Sequence, residues 1–353
     1  MRFLPCSVLC LFALFAAPAW TQITLAHKSP PIPVKVVIVA MFEQGADTGD
    51  MPGELQYWVE RDHLDTIYPL PAAYHDVRMN ADGELAIVTG QGTAHAAATI
   101  MALGLDPRFD LTHAYILING IAGIDPRIGS IGSAAWARYV VGDVAREIDP
   151  REAPKDWPYG IFPTSAKQPN PPVLDDPVWH RSNLFTLNQG LVQWAYDQTR
   201  SLKLPDDPAV AAFRAEYTDM PNAQRPPFVL LGDTFASDYY WHGTIMTTYA
   251  EDWVKLWTHG KGVFATTEME DSGFLNAIDR LDEMKRVDRN RVLVLRTGSN
   301  YSMERPGHDA VESVSAPYVG KNLALESAYL AGSTVVNYLV TNWSTTREHI
   351  PGE

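Results

Sequence analysis

Three β-branched apolar runs, residues 34–41, 85–89 and 114–118, each break off at glycine: at Gly45, at Gly90-Gln91-Gly92 and at Asn119-Gly120-Ile121-Ala122-Gly123. Short apolar runs bounded by turn residues read as strands buried on both faces. An alanine-rich stretch over 93–103 follows the second run and reads as a helix stopped by Gly104. Strand, glycine turn and helix in alternation point to an α/β fold with a mixed, twisted central sheet flanked by helices. Further strands at 228–231, 263–267 and 292–296, a helix over 183–203 and a final long helix over 321–339 continue the pattern. Residues 150–177 hold eight prolines in 28 positions, which leaves no regular element there. That stretch reads as a surface insertion within one domain spanning 34–345.

The N-terminus stands apart. Arg2 precedes an almost wholly apolar run over 3–15, and Ala17-Pro18-Ala19 has the small-x-small form of a signal peptidase site. These features predict a cleaved signal peptide over 1–19, an exposed lead-in over 20–33, and a periplasmic or secreted mature protein. The apolar run is shorter than the roughly 20 residues that span a bilayer, and no later stretch of that length lacks charges. Both cysteines, Cys6 and Cys10, fall in the leader, so the mature chain would hold no disulfide and no nucleophilic thiol.

The acidic balance, 42 Asp and Glu against 28 Lys and Arg, argues against a nucleic-acid surface and leaves a neutral or weakly charged small ligand open. The histidines are scattered without metal-ligand spacing, and Gly90-x-Gly92 lacks the third glycine of a dinucleotide fingerprint. Neither a metal nor a cofactor is expected.

Three segments at the ends of expected strands, where α/β sheets bind ligands, could carry chemistry. Residues 232–242 put Asp233, Phe235, Tyr240, Trp241 and His242 on one loop, and its aromatics suit stacking on a planar base. A plain surface loop covering the core is the alternative. Glu268-Met269-Glu270 places two carboxylates on the same side of a strand end, where one could bind adjacent sugar hydroxyls bidentately; an acidic helix start reads equally from these residues. Arg296 to Asn300 follows another strand, and the Asn300 amide offers a donor and an acceptor to a purine edge, unless the segment is a simple turn.

Taken in order, these segments resemble the nucleoside phosphorylase and nucleosidase superfamily over most of residues 34–340. The strand at 36–41, the turns at Gly90-Gln91-Gly92 and at Asn119 to Gly123, the aromatic loop and Glu268-Met269-Glu270 fall in the superfamily's order. A closer resemblance is to the purine nucleoside permease family, carried by residues 35–54 and 117–141. It implies purine nucleoside binding and a link to a membrane transport component, and it leaves homo-oligomerisation open.

By resemblance, Gly92, Gly120, Phe235, Tyr240, Trp241, His242, Glu268, Met269, Glu270 and Asn300 belong to the substrate site, with Met269 on the ribose and Glu270 on its 2′ and 3′ hydroxyls. Glu43 and Asp47 lie in the loop where nucleosidase relatives hold a water-activating glutamate, and Asp233 is a third catalytic candidate. Two departures bear on mechanism. Ile118 and Ile121 stand where phosphorylases carry phosphate-binding side chains, and no arginine lies in 42–53. Asn300 stands where many relatives carry an aspartate that protonates the purine N7; an asparagine can hydrogen-bond that nitrogen but cannot deliver a proton. The expected function is therefore capture or delivery of purine nucleosides outside the cytoplasm. The alternatives are a purine nucleoside N-ribohydrolase and a non-catalytic storage protein on the same fold.

Overall fold

The runs that end in glycine become the middle of a large mixed sheet. The computed structural model describes residues 30–353; the expected leader, its two cysteines and positions 20–29 of the expected lead-in lie outside the described residues. The strands that frame the site are β1 (Val36–Ala40), β2 (Glu84–Val88), β3 (Tyr115–Ile124), β4 (Ala134–Trp136), β5 (Tyr139–Val141), β6 (Val229–Leu231), β7 (Asp233–Ala236), β8 (Phe264–Glu268) and β9 (Val292–Tyr301). The sheet runs β5-β7-β8-β3-β1-β2, continued beyond β5 by Leu184–Thr186 and beyond β2 by Val77–Met79 and Thr66–Tyr68.

β3 is the hub. Its first half pairs in parallel with β1, from Val36 opposite Tyr115 to Val39 opposite Ile118. Its second half meets β8 antiparallel at Gly123 and Ile124. β9 runs parallel along its whole length and also pairs antiparallel with β4, which in turn pairs in parallel with β6. Val36 to Ala40 and Glu84 to Val88 are buried at every position. An apolar run with no polar alternation is what a strand covered on both faces requires.

The helices used below are α1 (Gln56–Arg61), α2 (Thr93–Leu105), α3 (Gln189–Thr199), α4 (Pro208–Ala215), α5 (Thr244–Trp257), α6 (Asp271–Glu283), α7 (Ala310–Val314) and α8 (Lys321–Thr341), with short turns of helix at His180–Asn183 and Trp343–Thr346. α8 lies along β3 and β9, α2 packs on α6, and α5 covers β7 and β8. Asn188 caps α3 by accepting the Gly190 and Leu191 N–H groups, and Asp207 caps α4 just before its proline.

Several expected boundaries move, each for a local reason. The Asn119 to Gly123 segment is not a turn but strand, and Gly120 serves close approach: a Cβ on it would lie within 2.9 Å of Met41, Glu54 and Arg296 side-chain atoms. Arg296 to Asn300 is likewise strand. Gly104 does not stop α2; a Cβ there would sit 2.3 Å from Leu281, so it is the contact point with α6. The helix expected over 183–203 loses its first residues, which form the strand Leu184–Thr186 on β5.

The proline-rich insertion also carries structure: a 3-10 turn at Pro150–Glu152 and a strand, Ile161–Pro163, antiparallel to Ala145–Glu147. It is anchored by Trp157, Tyr159 and Leu174, buried against Tyr249, Trp253 and Trp257 of α5. The Tyr159 hydroxyl donates to Asp252 at 2.6 Å. Residues 31–353 make one compact unit.

Candidate functional site

Where β3, β8 and β9 meet, the sheet opens into a small cleft lined by Gly123, Tyr239, Tyr240, Trp241, Thr267, Glu268, Met269, Asn300 and Ser302. The end of β8 brings Thr267, Glu268 and Met269; the end of β9 brings Asn300; the segment between β7 and α5 brings the aromatics. Gly123 passes close to Thr267: a Cβ there would lie 3.2 Å from the Thr267 Cγ2, which would have to give by a few tenths of an ångström. The aromatic segment is tied across the cleft to the start of α2: Asp238 accepts the Thr93 backbone N–H at 2.8 Å and the Thr93 hydroxyl at 2.6 Å. That carboxylate supplies the cap that α2 lacks from its own Gly92, and it suits the positive end of the helix dipole.

The cleft is chemically two-ended. One end is aromatic. Tyr239 and Tyr240 are exposed at the mouth, and Tyr240 stacks on Tyr318 with ring centroids 6.1 Å apart and planes 24° apart. Trp241 sits deeper, its ring centroid 6.1 Å from those of Phe235 and of Phe264.

The other end, reached through Glu268, is a buried cluster around Arg296. The Arg296 Nη2 lies 3.3 Å from Glu268, 3.3 Å from Glu270 and 2.5 Å from Asp271. Burial opposes the guanidinium charge, but Asp271, Glu268 and Glu270 outweigh it and hold Arg296 above its ordinary range. Burial and the neighbouring Asp271 charge push Glu268 well up; burial also raises Glu270, against the pull of Arg296. Glu268 also accepts the backbone N–H groups of Glu270 and Asp271 at 2.7 and 2.8 Å, which starts α6. The acidic helix start and the inward-facing carboxylates are thus one structure. Glu270 Oε1 accepts the Gly92 N–H at 3.2 Å, a contact that brings the second glycine turn, with Gly92 at φ +90°, to the site.

Sequence reasoning missed Glu54. Its Oε2 accepts the Met41 N–H at 2.7 Å and its Oε1 the Ile121 N–H at 2.7 Å, so it bridges the ends of β1 and β3 beside Gly120 and Arg296. Burial raises its carboxyl to about 7, against the opposing pull of Arg296. Glu43 does not occupy that place. Its two oxygens accept backbone N–H groups of Gln44, Gly53, Leu55 and Gln56, pinning the loop to the start of α1. Asp47 is also elsewhere, bound to Arg78 at 2.7 Å and to His75 at 3.0 Å.

Asp233 sits at the opposite end of β7 from the cleft, fully buried, accepting the Arg138, Tyr139 and Val263 N–H groups. The structure thus ties Glu43, Asp47 and Asp233 into backbone and ion-pair contacts, and the carboxylate that reaches β3 beside Arg296 is Glu54. Phe235 is core rather than lining. His242 borders a neighbouring niche, where its Nε2 meets the Ser313 hydroxyl at 2.7 Å and burial lowers its pKa. The sequence signal for the cluster was Arg296 itself, since a charged residue closing an otherwise apolar strand has to find buried partners.

The architecture is that of the nucleoside phosphorylase and nucleosidase type. Two 5′-methylthioadenosine/S-adenosylhomocysteine nucleosidase structures from Helicobacter pylori superpose with TM-scores of 0.51 and 0.52 at 15% identity, covering 87% and 86% of this chain and 100% and 99% of theirs.

Within that class the chain belongs to the purine nucleoside permease family, whose pattern matches residues 33–351. It is 31% identical to a probable purine nucleoside permease of Schizosaccharomyces pombe, over 96% of this chain and 97% of that one. It is 30% identical to a purine nucleoside permease of Candida albicans, over 80% of this chain and 70% of that one. Among the described residues no helix is long and apolar enough to cross a membrane.

Proposed function

We propose that this chain binds purine nucleosides in the β3-β8-β9 cleft, outside the cytoplasm, and delivers them to a membrane transport component. The observation that carries the reading is the two-ended cleft: aromatic rings and an amide at one end, and buried carboxylates held by Arg296 at the other. Flat bases gain from stacking on aromatic faces, and vicinal hydroxyls are donors that a carboxylate accepts in pairs. A purine nucleoside has both features, and in this reading its base lies toward Tyr240 and Trp241 and its ribose toward Met269 and Glu270. Family membership favours the same ligand class. The leader over 1–19 favours export, and capture with delivery is the transport role we assign.

Calorimetry with inosine, guanosine and adenosine tests the binding. Saturable binding of at least one nucleoside, lost when free ribose or an unrelated sugar replaces it, is the expected result. Absence of binding by all three would overturn the proposal. Intact mass of the protein from its native host tests export, since a mature chain that keeps residues 1–19 excludes a cleaved leader.

A second reading, hydrolysis of the N-glycosidic bond, is favoured by Glu54. A carboxyl held near 7 beside Arg296 and Glu270 is matched to accept a proton from water at neutral pH. The water oxygen would bond to the ribose C1′ as the C1′–N9 bond breaks, and the base would leave with the electron pair and be protonated from solvent or from Glu54. Free base and free ribose in the calorimetry mixtures distinguish this reading from binding alone.

A further inference from the structure

Tyr240 stands between two hollows. It lines the cleft described above and also the niche bordered by Tyr217, Tyr301, Ser313, Tyr318 and Val319. Among the described residues only Tyr240 and Asn300 line both. The Tyr240 ring lies against Tyr318, and its hydroxyl is 3.5 Å from the Asn300 amide nitrogen, too long for a strong hydrogen bond. Each hollow by itself has room for only a few water molecules, well short of a pocket that encloses a nucleoside. With the Tyr240 side chain turned aside, the two would join into one pocket running from Thr267 and Met269 to Tyr301 and Val319.

Few contacts keep the ring there. At one end of its segment the Ser237 N–H donates to the Glu268 carbonyl at 2.9 Å, and at the other the Gly243 N–H donates to the Ser302 carbonyl at 2.9 Å. Among the described residues, no backbone-to-backbone hydrogen bond holds the stretch between them. Its other side chains are seated: Asp238 on Thr93, Trp241 beside Phe235 and Phe264, and His242 on Ser313. Tyr240 has the stack on Tyr318 and the long contact to Asn300, and it remains 48% exposed. Exposed side chains change rotamer rapidly, and one aromatic pair biases that choice by only about two- to tenfold.

We infer that Tyr240 is an internal plug: without ligand its ring occupies the base end of the cleft, and a nucleoside binds by displacing it from Tyr318. The inference rests on the nucleoside-binding reading above and adds a closed state to it. A flat ring with a hydroxyl on its edge fills the kind of space that a flat base with a polar edge would take, so plug and ligand compete for one place. Binding then draws on the open rotamer alone, and the apparent affinity is the intrinsic affinity scaled by the open fraction. A Tyr240 that served as a fixed platform for the base would respond to truncation in the opposite direction.

The test is calorimetry with inosine, guanosine and adenosine on the whole protein and on Tyr240→Ala, Tyr240→Ser and Tyr240→Phe, with association rates from stopped-flow tryptophan fluorescence. Tyr240→Ala and Tyr240→Ser remove the plug. They should bind about two- to tenfold more tightly than the wild type, with the gain in the association rate. Tyr240→Phe keeps the ring and should stay near the wild type. Weaker binding by the two truncated variants would make Tyr240 a stacking platform and overturn the inference while leaving nucleoside binding intact. Unchanged affinity in both would overturn it too. If one truncated variant does not fold, the other decides. Failure of all three nucleosides to bind the wild type and the truncated variants alike would remove the underlying reading as well.

Discussion

Glu54 Oε1 accepts the backbone N–H of Ile121 at 2.7 Å, so the amide that an anion would need at this point of β3 already has a partner. Ile118 is buried within the sheet and offers no donor, and Arg296 is shared by three carboxylates. A phosphate dianion requires positive charge and several donors, and here it would meet Glu54 instead. Added phosphate should therefore neither tighten nucleoside binding nor start turnover. Ribose 1-phosphate among the products, detected by phosphorus NMR, would show that the cluster rearranges to admit phosphate.

The same residue gives the protein a pH signature. Burial raises the Glu54 carboxyl from 4.5 to about 7. A carboxyl that holds its proton more tightly in the fold than in the unfolded chain contributes stability that is fully present below the unfolded value and is lost as pH rises through the folded one. Glu54→Gln keeps a neutral group and escapes that loss. Between about pH 4 and about pH 8, unfolding free energies from urea titrations should shift in the variant's favour by about 3 kcal/mol. Glu84, also raised to about 7 by burial, is common to both proteins and cancels. A wild-type-to-variant difference that stays flat with pH would place the Glu54 carboxyl in the ordinary range.

In the proposed site Glu270 carries the sugar end. Its Oε2 lies 3.3 Å from Arg296 and its Oε1 accepts the Gly92 N–H, an arrangement that fixes the carboxylate beside Met269. Hydrogen bonds to a charged group contribute about 1.5–3 kcal/mol each way they are lost. Glu270→Gln should weaken ribonucleoside binding by about that amount and leave 2′,3′-dideoxynucleosides nearly unaffected. Equal losses for both ligand types would mean that the substitution disturbs the Arg296 cluster rather than a contact to the hydroxyls.

The apolar strands β1, β2 and the first half of β3 were legible because nothing competes with their pattern: each is buried on both faces and reads as a continuous run. Legibility failed where glycine does two jobs. Gly120 and Gly123 punctuate a sequence as a turn would, yet here they let Glu54, Met41, Arg296 and Thr267 approach the backbone of an unbroken strand. α5 went unread because its aromatics face the insertion, and α6 was offered only as an acidic helix start because the acids opening it double as site candidates. Proximity between elements far apart in sequence was the hardest part. Glu43 and Glu54 look alike as loop carboxylates 11 positions apart, and only the path of residues 42–55 decides which one reaches β3. The aromatic loop and the Glu268-Met269-Glu270 segment could be read as neighbours because strand ends gather on one edge of such sheets.

Asp233 separates framework from function most cleanly. It lies fully buried at the start of β7, accepts the Arg138 and Tyr139 N–H groups at 2.9 Å each and that of Val263 at 2.7 Å, and lies 3.3 Å from the Arg138 guanidinium. Those bonds join β5, β7 and the lead-in to β8 at the end of the sheet away from the cleft. Asp233→Ala would leave three backbone donors in the interior without partners, each of which costs free energy when buried. The variant should lose roughly 3 kcal/mol or more of stability in urea titrations, while the folded fraction keeps the wild-type affinity for nucleoside. A stable Asp233→Ala protein that binds normally but has lost hydrolytic turnover would restore Asp233 as a catalytic group. Lost stability with unchanged affinity would fix it as the clamp that holds three strands in register beneath the site.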